Sequence, residues 1–336
     1  MVKRHEAVTI KDIARMTGFS VATVSQVING NGHASEATQN LILKCVEETG
    51  YIPNTIARSL RKKQDDAVAI LLPDISNEFY AQMAKGIQDE LYALGRNCVI
   101  FNTKYDATVE EHCLDLIVAD HVKAIIAINT IQVDVCRLPS DCVVVYIDSC
   151  PVSDESDARY IYYHADHEQG AYLATQELIR KGCRNLLMIT CKTGEPATEK
   201  RRSGFRRACA EHGLSSELSF EADPGDYNEG AQKVIRRLFD KNISFDGVFA
   251  QNDIIATGVL AQMLISGISV PEQVKIVGFD DTSFAKYSAL PITTIHQPIQ
   301  EMGREAAKTV LHLAGNSTSH GRNKIFPVEL VLRSTT

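Results

Sequence analysis

The stretch TIKDIARMTGFSVATVSQVING, residues 9–30, contains two short helical patterns separated by a turn. In the second pattern, Ser20 can cap the first turn by accepting a hydrogen bond from a free backbone N–H. Val24, Val27 and Ile28 form one apolar stripe at helical spacing. The pattern therefore predicts a short helix with one buried side and one small, polar, exposed side.

The first pattern has its own start signal. Thr9 can cap a helix over about residues 10–17, and Asp12 stands where a capping-box acid bonds back to the cap. Gly18, in the turn TGFS, is placed for the unusual backbone angles of a tight turn. Two short helices joined by such a turn form a helix-turn-helix, a motif whose second helix lies in the major groove of DNA.

A third helix is expected after these two. Ser35 can cap it, and Gly50 can take the left-handed conformation that ends it. Four apolar residues can close a small core over the first two helices: Leu41, Ile42, Cys45 and Val46.

The segment YIPNTIARSLRKK, residues 51–63, follows. Asn54 can cap a helix of about two turns, which is too short to be stable alone in water. One interpretation is a charged linker. The other is a segment that folds only on DNA, pairs with its copy in a dimer and inserts Leu60 between base steps of the minor groove.

The net charge of -7 is unevenly distributed along the chain. Residues 1–63 hold nine Lys and Arg against five Asp and Glu, a net charge of +4, and the remainder holds 26 against 37, a net charge of -11. A basic N-terminal part on an acidic body is typical of a nucleic-acid reader with a separate control domain, although a solvated charged end is also compatible with it.

Composition narrows the class of protein. The 336 residues, 44% hydrophobic and 23% charged, suit a globular chain of two or three domains. No apolar run approaches the roughly 20 residues of a membrane-spanning helix, and MVKRHEAVTI lacks the apolar middle of a secretory signal. We therefore expect a cytoplasmic protein with no membrane partner. Nine cysteines without a C-x-x-C pair indicate buried thiols rather than disulfides.

Beyond residue 65, short apolar runs alternate with amphipathic stretches, which predicts parallel, doubly wound sheets. The expected strands are AVAILLP, NCVIFNT, KAIIAINT, CVVVYID, NLLMIT, FDGVFAQ, VKIVGFD and the later IFPVELVLR. Ligands of open α/β sheets bind beyond the carboxyl ends of the strands. Polar and aromatic residues cluster there, for example in PDISNEFY after the first strand.

Four segments together resemble the LacI/GalR family of bacterial transcription regulators. They are VTIKDIARMTGFSVATVSQVING, SEATQNLILKCVEETGYIPNTIARSL, VAILLPDISNEFYAQMAKGIQDELYALG and VKIVGFDDTSFAKYSALPITTIHQP. The resemblance implies an N-terminal all-α helix-turn-helix head and an α/β periplasmic-binding-protein-like core of two doubly wound parallel-sheet subdomains crossed by three connections. It places the boundaries as follows: DNA-binding domain 1–52, hinge 53–65, core 66–336, N-subdomain about 66–164 and 297–324, C-subdomain about 165–296 and 325–336.

The resemblance also assigns DNA contacts. The family's recognition-helix positions fall on Val21, Ala22 and Gln26, and its minor-groove leucine falls on Leu60. Gln26 departs from the usual arginine, so the operator base that it faces should differ. The residues expected to contact DNA are Thr9, Ser20, Val21, Ala22, Thr23, Ser25, Gln26, Asn29, Asn54, Ala57, Arg58 and Leu60.

A cleft between the two core subdomains is the expected effector site. The family's ligand arginine, asparagine and aspartate fall on Arg201, Asn252 and Asp280, and its aromatic pair falls on Phe79 and Tyr80, for which plain core packing is an equal interpretation. A further position, in a later loop where the family often has an aromatic, falls on Gly225 here, and Tyr227 is close by. The residues expected to bind effector are Asp74, Phe79, Tyr80, Asp166, Arg201, Asn252 and Asp280.

This residue chemistry favours a small hydroxylated effector. Arginine and carboxylate groups can each bind adjacent hydroxyls, and an aromatic ring can pack against the C–H face of a sugar. We therefore expect a repressor that a sugar releases from its operator. A purine-like co-repressor is the alternative, because a planar base would also fit the aromatics.

Other functional classes find less support. A solute-binding protein would fit the body but not the helix-turn-helix, and no phosphate loop, G-x-S-x-G turn or acid/base pair argues for an enzyme. HADHE, residues 164–168, lacks the spacing of a zinc motif and is expected to be a strand end leading into a helix, with no metal and no cofactor. Because no heptad helix follows VELVLRSTT, we expect a homodimer on pseudo-palindromic operator DNA.

Overall fold

A computed structural model describes residues 8–28, 34–51, 67–130, 133, 137–149, 160–191, 196–222, 226–315 and 323–336. The chain forms two compact units, Met1–Asp65 and Asp66–Thr336. Several residues singled out above lie outside the described residues: Asn29, Gly30, Asn54, Ala57, Arg58, Leu60 and Gly225.

The N-terminal unit, the head, is helical, with α1 at Ile10–Thr17, α2 at Val21–Ile28 and α3 at Glu36–Thr49. The predicted capping box of α1 is present, since Thr9 N donates to Asp12 Oδ2 at 3.0 Å and Thr9 Oγ1 accepts from Asp12 N at 3.4 Å. Gly18 has φ +76°, a conformation that glycine adopts without strain. The helix-turn-helix geometry therefore follows from caps and a turn encoded within a few residues.

The head core consists of five buried side chains: Ile13, Ala14, Val24, Val27 and Ile42. Cys45 and Val46 pack against it. The expectation that Leu41 belongs to this core is wrong, because its side chain is 52% exposed. The core-facing stripe of α3 runs through positions 42, 45 and 46, and Leu41 lies to one side of it.

The second unit, the body, alternates strands and helices. Its strands are β1 Ala67–Leu72, β2 Asn97–Asn102, β3 Ala124–Ile128, β4 Val143–Ile147, β5 Tyr160–Ala165, β6 Leu186–Cys191, β7 Ser219–Ala222, β8 Gly247–Ala250, β9 Lys275–Asp280, β10 Thr293–His296, β11 Lys324–Phe326 and β12 Glu329–Val331. Its helices are α4 Glu78–Ala93, α5 Ala107–Ala119, α6 His167–Arg180, α7 Pro196–Glu211, α8 Tyr227–Asp240, α9 Asp253–Ile265, α10 Ser283–Tyr287 and α11 Ile299–Gly315.

The strands form two six-stranded sheets, in the orders β11-β5-β4-β3-β1-β2 and β12-β10-β9-β8-β6-β7. All neighbouring strands are parallel except β10 and β12, which are antiparallel. Each sheet with its helices forms one subdomain, and the carboxyl ends of the parallel strands are where a ligand is expected. The two predicted doubly wound subdomains are therefore present.

The chain passes between the sheets three times: after β5, between β10 and α11, and between β11 and β12. The run IFPVELVLR is two strands in different sheets, not the single strand that its composition suggests. Pro327, which has no N–H to donate and restricts the residue before it, separates them. The third crossing therefore comes after Phe326, slightly beyond the expected boundary at about residue 324. Two other strands, β7 and β10, are short and lack the apolar run that marks a strand in the sequence.

In the described part of the chain, no helix is both long and apolar enough to cross a membrane. The seven cysteines described there are free thiols, and five of them are buried.

Candidate functional site

One face of α2 is directed away from the head core. Ala22 and Gln26 are exposed, whereas Val21, Thr23 and Ser25 are half-buried. Val21 also packs against the core, so part of its surface serves stability. The helix therefore presents the small, polar face predicted from its sequence, with Gln26 as its one long exposed side chain.

The hydroxyl groups at the helix starts have a structural role. Ser20 Oγ accepts a hydrogen bond from Thr23 N at 3.1 Å and shares another with Thr23 Oγ1 at 2.8 Å. Thr9 and Ser20 therefore fix the starts of α1 and α2. Both residues are exposed, so capping does not prevent them from meeting a phosphate.

A cavity of about 470 Å³, the cleft, lies between the two subdomains of the body. Thirteen residues line it: Asn77, Phe79, Tyr80, Tyr105, Asn129 and Asp148 from the first subdomain, and Cys191, Ala197, Arg201, Tyr227, Gln251, Asn252 and Asp280 from the second.

Aromatic rings dominate the wall that the first subdomain provides. Phe79 and Tyr80 meet edge to face with ring centroids 5.2 Å apart, and Tyr80 and Tyr105 meet similarly at 6.4 Å. The Tyr80 hydroxyl accepts hydrogen bonds from Tyr105 Oη at 3.1 Å and Asn129 Nδ2 at 2.7 Å. Phe79 and Tyr80 are also part of the hydrophobic core. Core packing and a cleft surface, the two interpretations of this pair, both apply.

The opposite wall is built around Arg201, which is only 6% exposed. Its Nη1 donates to the Gln251 carbonyl at 2.5 Å, its Nη2 lies 3.7 Å from Asp280 Oδ1, and its guanidinium stacks 3.8 Å from the centre of the Phe279 ring. A buried guanidinium held on several sides is preorganised to bind hydroxyl or carbonyl oxygens.

His167 joins this wall to the first subdomain. Arg201 Nη2 lies 3.3 Å from His167 Nδ1, and His167 Nε2 lies 2.8 Å from Asp148 Oδ1. Because a guanidinium can only donate, Nδ1 must accept and Nε2 must carry the proton. The result is a continuous chain from Asp148 through a neutral imidazole to Arg201.

Burial and charge set the protonation of this chain. Burial lowers the pKa of His167, which keeps the imidazole neutral. Burial opposes ionisation of Asp148, but His167 and Arg201 outweigh it and lower the pKa of Asp148. The pKa of Asp280 is raised well above its ordinary value by burial, against the influence of Arg201. The two carboxyl groups near Arg201 therefore differ, one favouring the charged form and one the neutral form.

Two buried polar atoms beside this chain have no hydrogen-bond partner among the described residues, Arg201 Nε and Gln297 Oε1. Gln297 Nε2 itself donates to Asp280 Oδ1 at 2.6 Å. Buried atoms without partners are uncommon, and this part of the cleft therefore retains hydrogen-bonding capacity.

The loops that bring these side chains to the cleft are strained. Non-glycine residues with left-handed φ follow four strands: Lys104 and Tyr105 after β2, Asn129 after β3, Asp148 after β4, and Asp280 and Asp281 at the end of β9. Each such residue costs about 1–3 kcal/mol, and such strain is concentrated at ligand sites.

Five of the seven residues expected to bind effector line the cleft: Phe79, Tyr80, Arg201, Asn252 and Asp280. Asn252 also caps α9, because its Oδ1 accepts from Ile255 N at 2.9 Å. Asp74 and Asp166 are not among the lining residues. Asp74 Oδ1 accepts two hydrogen bonds from Ser76 within its own turn, and Asp166 caps α6 through Gln169 N. Their side-chain oxygens bond within local turns, and their expected contact with effector stays a prediction.

Several lining residues were not predicted as effector contacts: Asn77, Tyr105, Asn129, Asp148, Cys191, Ala197 and Gln251. Five of them are at or just after the end of a strand: Tyr105 after β2, Asn129 after β3, Asp148 after β4, Cys191 at the end of β6 and Gln251 after β8. The strand-end rule, applied to every strand, would have found them.

The HADHE residues are distributed among separate local roles. His164 Nδ1 lies 2.9 Å from its neighbour's carbonyl, His167 pairs with Asp148, and Glu168 pairs with Arg207 at 2.8 Å. Within the described ranges, no group of three or more His, Cys, Asp or Glu residues is arranged to hold a metal ion.

A second contact between the subdomains is formed by Glu78, the first residue of α4. Its two carboxylate oxygens each accept from Ser283 N at 3.0 Å, and Ser283 Oγ donates to the same carboxylate. The cap residue of α10, Thr282, makes no capping bond with its own side chain, whose hydroxyl instead donates to Asp253 Oδ2 at 2.9 Å. Glu78 therefore caps a helix of the other subdomain.

Asp253 is fully buried under this contact. It accepts from Thr282 N at 2.7 Å and from Thr294 Oγ1 at 2.6 Å, in addition to the Thr282 hydroxyl. Burial raises the pKa of Asp253 to about 7, although these hydrogen bonds oppose the shift.

Two family models match the chain. Residues 9–54 match the model described as bacterial regulatory proteins, lacI family, and residues 175–336 match a periplasmic binding protein-like domain. The first covers the helix-turn-helix, and the second covers every strand of the second sheet. A lacI-type DNA-binding region and a periplasmic-binding-protein-like region are therefore joined in one chain.

Full-length relatives support this assignment. The chain is 32% identical to the HTH-type transcriptional regulator DegA of Bacillus subtilis (strain 168), with 98% of each chain covered. It is 31% identical to the ribose operon repressor of the same strain, again over 98% of each chain. The fold matches a lac repressor dimer bound to operator and the anti-inducer ONPF, with a TM-score of 0.86, 22% identity and coverage of 98% of this chain and 99% of that one. The chain therefore belongs to the lacI family of bacterial regulatory proteins and is a DNA-binding transcriptional regulator.

Proposed function

We propose that this regulator is a cytoplasmic repressor whose affinity for operator DNA is changed by a small hydroxylated effector, a sugar or sugar derivative, bound in the cleft. The observation that carries the proposal is the buried chain Asp148–His167–Arg201, which crosses the cleft and joins its two walls. A ligand that binds Arg201 acts on groups of both subdomains at once. Binding can therefore bias the relative position of the subdomains, which is the two-state element that allostery requires.

The charges in the cleft favour a neutral effector. Among the described residues that line it, Arg201 alone is cationic, and the carboxyl groups of Asp148 and Asp280 lie close to it. A phosphorylated ligand would bring further negative charge without a second cation to receive it. Hydroxyl groups can use the guanidinium, the carboxyl groups and the amides together. One relative of similar length is named a ribose operon repressor, which agrees with this chemistry.

A purine-like co-repressor is the second candidate. The rings of Phe79, Tyr80 and Tyr105 form one wall of the cleft, and a planar base can stack on such rings. A co-repressor would strengthen operator binding, whereas a sugar inducer would weaken it.

Reciprocal titration tests the proposal. Operator is first selected from random DNA, and sugars and nucleobases are then titrated calorimetrically with and without it. Thermodynamic linkage requires that an inducer bind operator-bound protein more weakly, by the same factor by which it weakens operator binding, and that a co-repressor bind it more tightly. If cleft ligands bind equally in both titrations, the proposal of allosteric control is wrong.

On DNA, we propose that α2 enters the major groove and that Gln26 reads a base. A glutamine amide offers one donor and one acceptor, which match the major-groove edge of adenine, whereas arginine matches guanine. The other contacts proposed on described residues are Thr9, Ser20, Val21, Ala22, Thr23 and Ser25. In site selection, Gln26→Arg should move one symmetric position toward guanine, by about 1–3 kcal/mol. If the selected sequence stays the same and only affinity and its salt dependence rise, Gln26 contacts the backbone instead.

The role of the expected hinge, residues 53–65, is proposed from the sequence alone. We propose that Asn29, Asn54, Ala57, Arg58 and Leu60 complete the DNA contacts, with Leu60 as a minor-groove wedge. Leu60→Ala should then weaken operator binding far more than binding to random DNA, because a kinked step gains contacts only at the right sequence. Equal losses on both would indicate a simple linker.

We propose that the regulator is a homodimer. Apolar side chains are exposed at the end of α4 and on β2, the edge strand of the first sheet: Tyr92, Leu94, Val99 and Ile100. A second group lies on α9 and α10: Leu264, Ile265, Phe284 and Tyr287. Exposed apolar edges of this kind are usually covered, and a second copy can cover both. Light scattering at micromolar concentration should report a dimer; a monomer would contradict this assembly.

A further inference from the structure

The loop between β2 and α5 carries a tyrosine into the cleft by an unusual backbone path. Lys104 and Tyr105 are consecutive and both left-handed, with φ +57° and +55°. Hydrogen bonds hold the loop in place, since Lys104 N donates to the Pro73 carbonyl at 2.8 Å and Asp106 N donates to the Thr103 carbonyl at 3.1 Å. Neither left-handed residue is glycine, so the surrounding structure maintains a conformation that the side chains disfavour.

The consequence of this path is the position of the Tyr105 ring. It lines the cleft, it is half-buried, and it packs against the core of the first subdomain. Its ring faces Tyr80 at 66° with the centroids 6.4 Å apart. The aromatic wall therefore has three rings, two from one helix and one from a separate loop.

Tyr105 also affects which hydrogen bonds the Tyr80 hydroxyl can make with a ligand. A tyrosine hydroxyl has two lone pairs and one proton. Both lone pairs of the Tyr80 oxygen are engaged, one by Tyr105 Oη and one by Asn129 Nδ2. Tyr80 therefore has no lone pair left to accept a hydrogen bond from a ligand, and its ring is held by two loops that follow different strands.

From this geometry we propose that Tyr105 is a specificity-determining residue of the cleft, setting the size of ligand that it admits and occupying a lone pair of Tyr80 that a ligand could otherwise use. This inference rests on the proposed function, because it assumes that the effector occupies the cleft. Tyr105 acts as a wall: a ligand ring can lie against the aromatic side, but a substituent extending toward the β2–α5 loop meets the Tyr105 ring.

Paired probes test the size limit within either class of effector. D-glucose and cellobiose form one pair, hypoxanthine and inosine the other, and each pair compares a ring with the same ring carrying a further sugar. Titration calorimetry on the full chain gives an affinity ratio for each pair. Tyr105→Ala should shift the ratio of the pair that binds by about tenfold toward the larger member, and Tyr105→Leu, which keeps apolar contact with the core, should shift it in the same direction.

Two further variants separate the hydroxyl from the ring and from nonspecific effects. Tyr105→Phe keeps the wall but frees one lone pair of Tyr80, so the size ratio should stay within about twofold while affinity for the smaller member changes severalfold. Tyr172→Ala is the matched control, because Tyr172 is also half-buried, is not among the lining residues and lies outside the proposed dimer edges. It should change neither quantity.

The outcomes distinguish this inference from the proposed function. If a probe binds, Arg201→Ala abolishes that binding, and both the Tyr105→Ala and Tyr105→Leu ratios stay within twofold of the wild type, then the cleft binds effector but Tyr105 does not set its size. If no member of either pair binds the wild-type protein, the proposed effector class is wrong and the inference about Tyr105 is overturned with it.

Discussion

The head and the body are held together over very different distances along the chain. In the head, the two caps that start α1 and α2 join residues three positions apart, Thr9 with Asp12 and Ser20 with Thr23. In the body, the bonds around the cleft join His167 to Asp148 across 19 positions and Arg201 to Gln251 across 50. The bond from Ser283 to Glu78 spans 205 positions. The head therefore depends on local signals, and the cleft depends on the whole body being folded.

This difference predicts where a substitution is felt. A change in a head cap should loosen one helix and leave the rest of the molecule alone. A change in the cleft should affect two subdomains, because each of its buried polar groups has a partner on another element. The four predictions below test that contrast, beginning with the largest expected effect.

Removing the guanidinium of Arg201 should have the largest effect. In Arg201→Ala, the pair Asp148–His167 and the carboxyl of Asp280 lose their central cation, and uncompensated buried charge costs about 3–5 kcal/mol. We expect loss of effector binding by calorimetry and a lower melting temperature of the body, with operator selectivity retained. Arg207→Ala is the control, since Arg207 is partly exposed and pairs with Glu168 at the surface. Equal effects of the two variants would contradict the assignment of Arg201 to the cleft.

The pH dependence of the body's free energy of unfolding should reveal the raised pKa of Asp253. Its pKa is about 7 in the folded chain and 3.8 in its ordinary state. Between these values the folded state binds the extra proton, so this group makes the free energy of unfolding fall as pH rises, by about 1.4 kcal/mol for each pH unit fully inside the window. Asp280 contributes in the same direction, and the lowered pKa of His167 contributes in the opposite one.

Comparison with Asp253→Asn isolates this contribution. An asparagine can still accept from Thr282 N and donate to the Thr294 hydroxyl, which can rotate. Urea unfolding followed by near-UV circular dichroism reports the body, because the first 65 residues contain only Tyr51 and Phe19 as aromatics. The variant should show a less negative slope between pH 4 and 7. Identical slopes would mean that Asp253 is ionised throughout.

Weakening the contact between Glu78 and Ser283 should have an effect of intermediate size. Glu78→Gln removes the charge from a hydrogen bond worth about 1.5–3 kcal/mol, so amide exchange in α10, Ser283–Tyr287, should accelerate by about tenfold or more. Glu229→Gln, at an exposed helix position paired with Lys233, is the control and should leave α10 unchanged. Unchanged exchange in Glu78→Gln would show that this contact between the subdomains contributes nothing to the stability of α10.

The same contrast explains what could be predicted from the sequence. The three described helices of the head could be predicted from the sequence, because Thr9, Gly18, Ser20 and Gly50 act on neighbouring residues. In the body, apolar runs predict the strands, but periodicity does not show which strand ends meet. Resemblance supplied Arg201 and Asp280. The strand-end rule could have placed Asp148 and Tyr105 near the cleft, but no local pattern specifies their left-handed backbone or their distant partners. Asp74 and Asp166 also stand near strand ends, but their side-chain oxygens bond within local turns and neither is among the lining residues.

The smallest effect should come from the cap of α1. Thr9→Ala removes the oxygen that accepts from Asp12 N and the hydroxyl that donates to Asp12 Oδ2, while the bond from the backbone N–H of residue 9 to Asp12 remains. Losses of this kind cost about 0.5–2 kcal/mol. Amide exchange over Ile10–Thr17 should therefore accelerate, while Thr9→Ser, which keeps the oxygen, should stay close to the wild type. Because every bond of this cap lies within the head, exchange in the body and affinity for effector should not change. If Thr9→Ala altered effector affinity in the absence of DNA, the head would be coupled to the cleft even without operator. The contrast between a locally specified head and a globally specified cleft would then hold for folding but not for function.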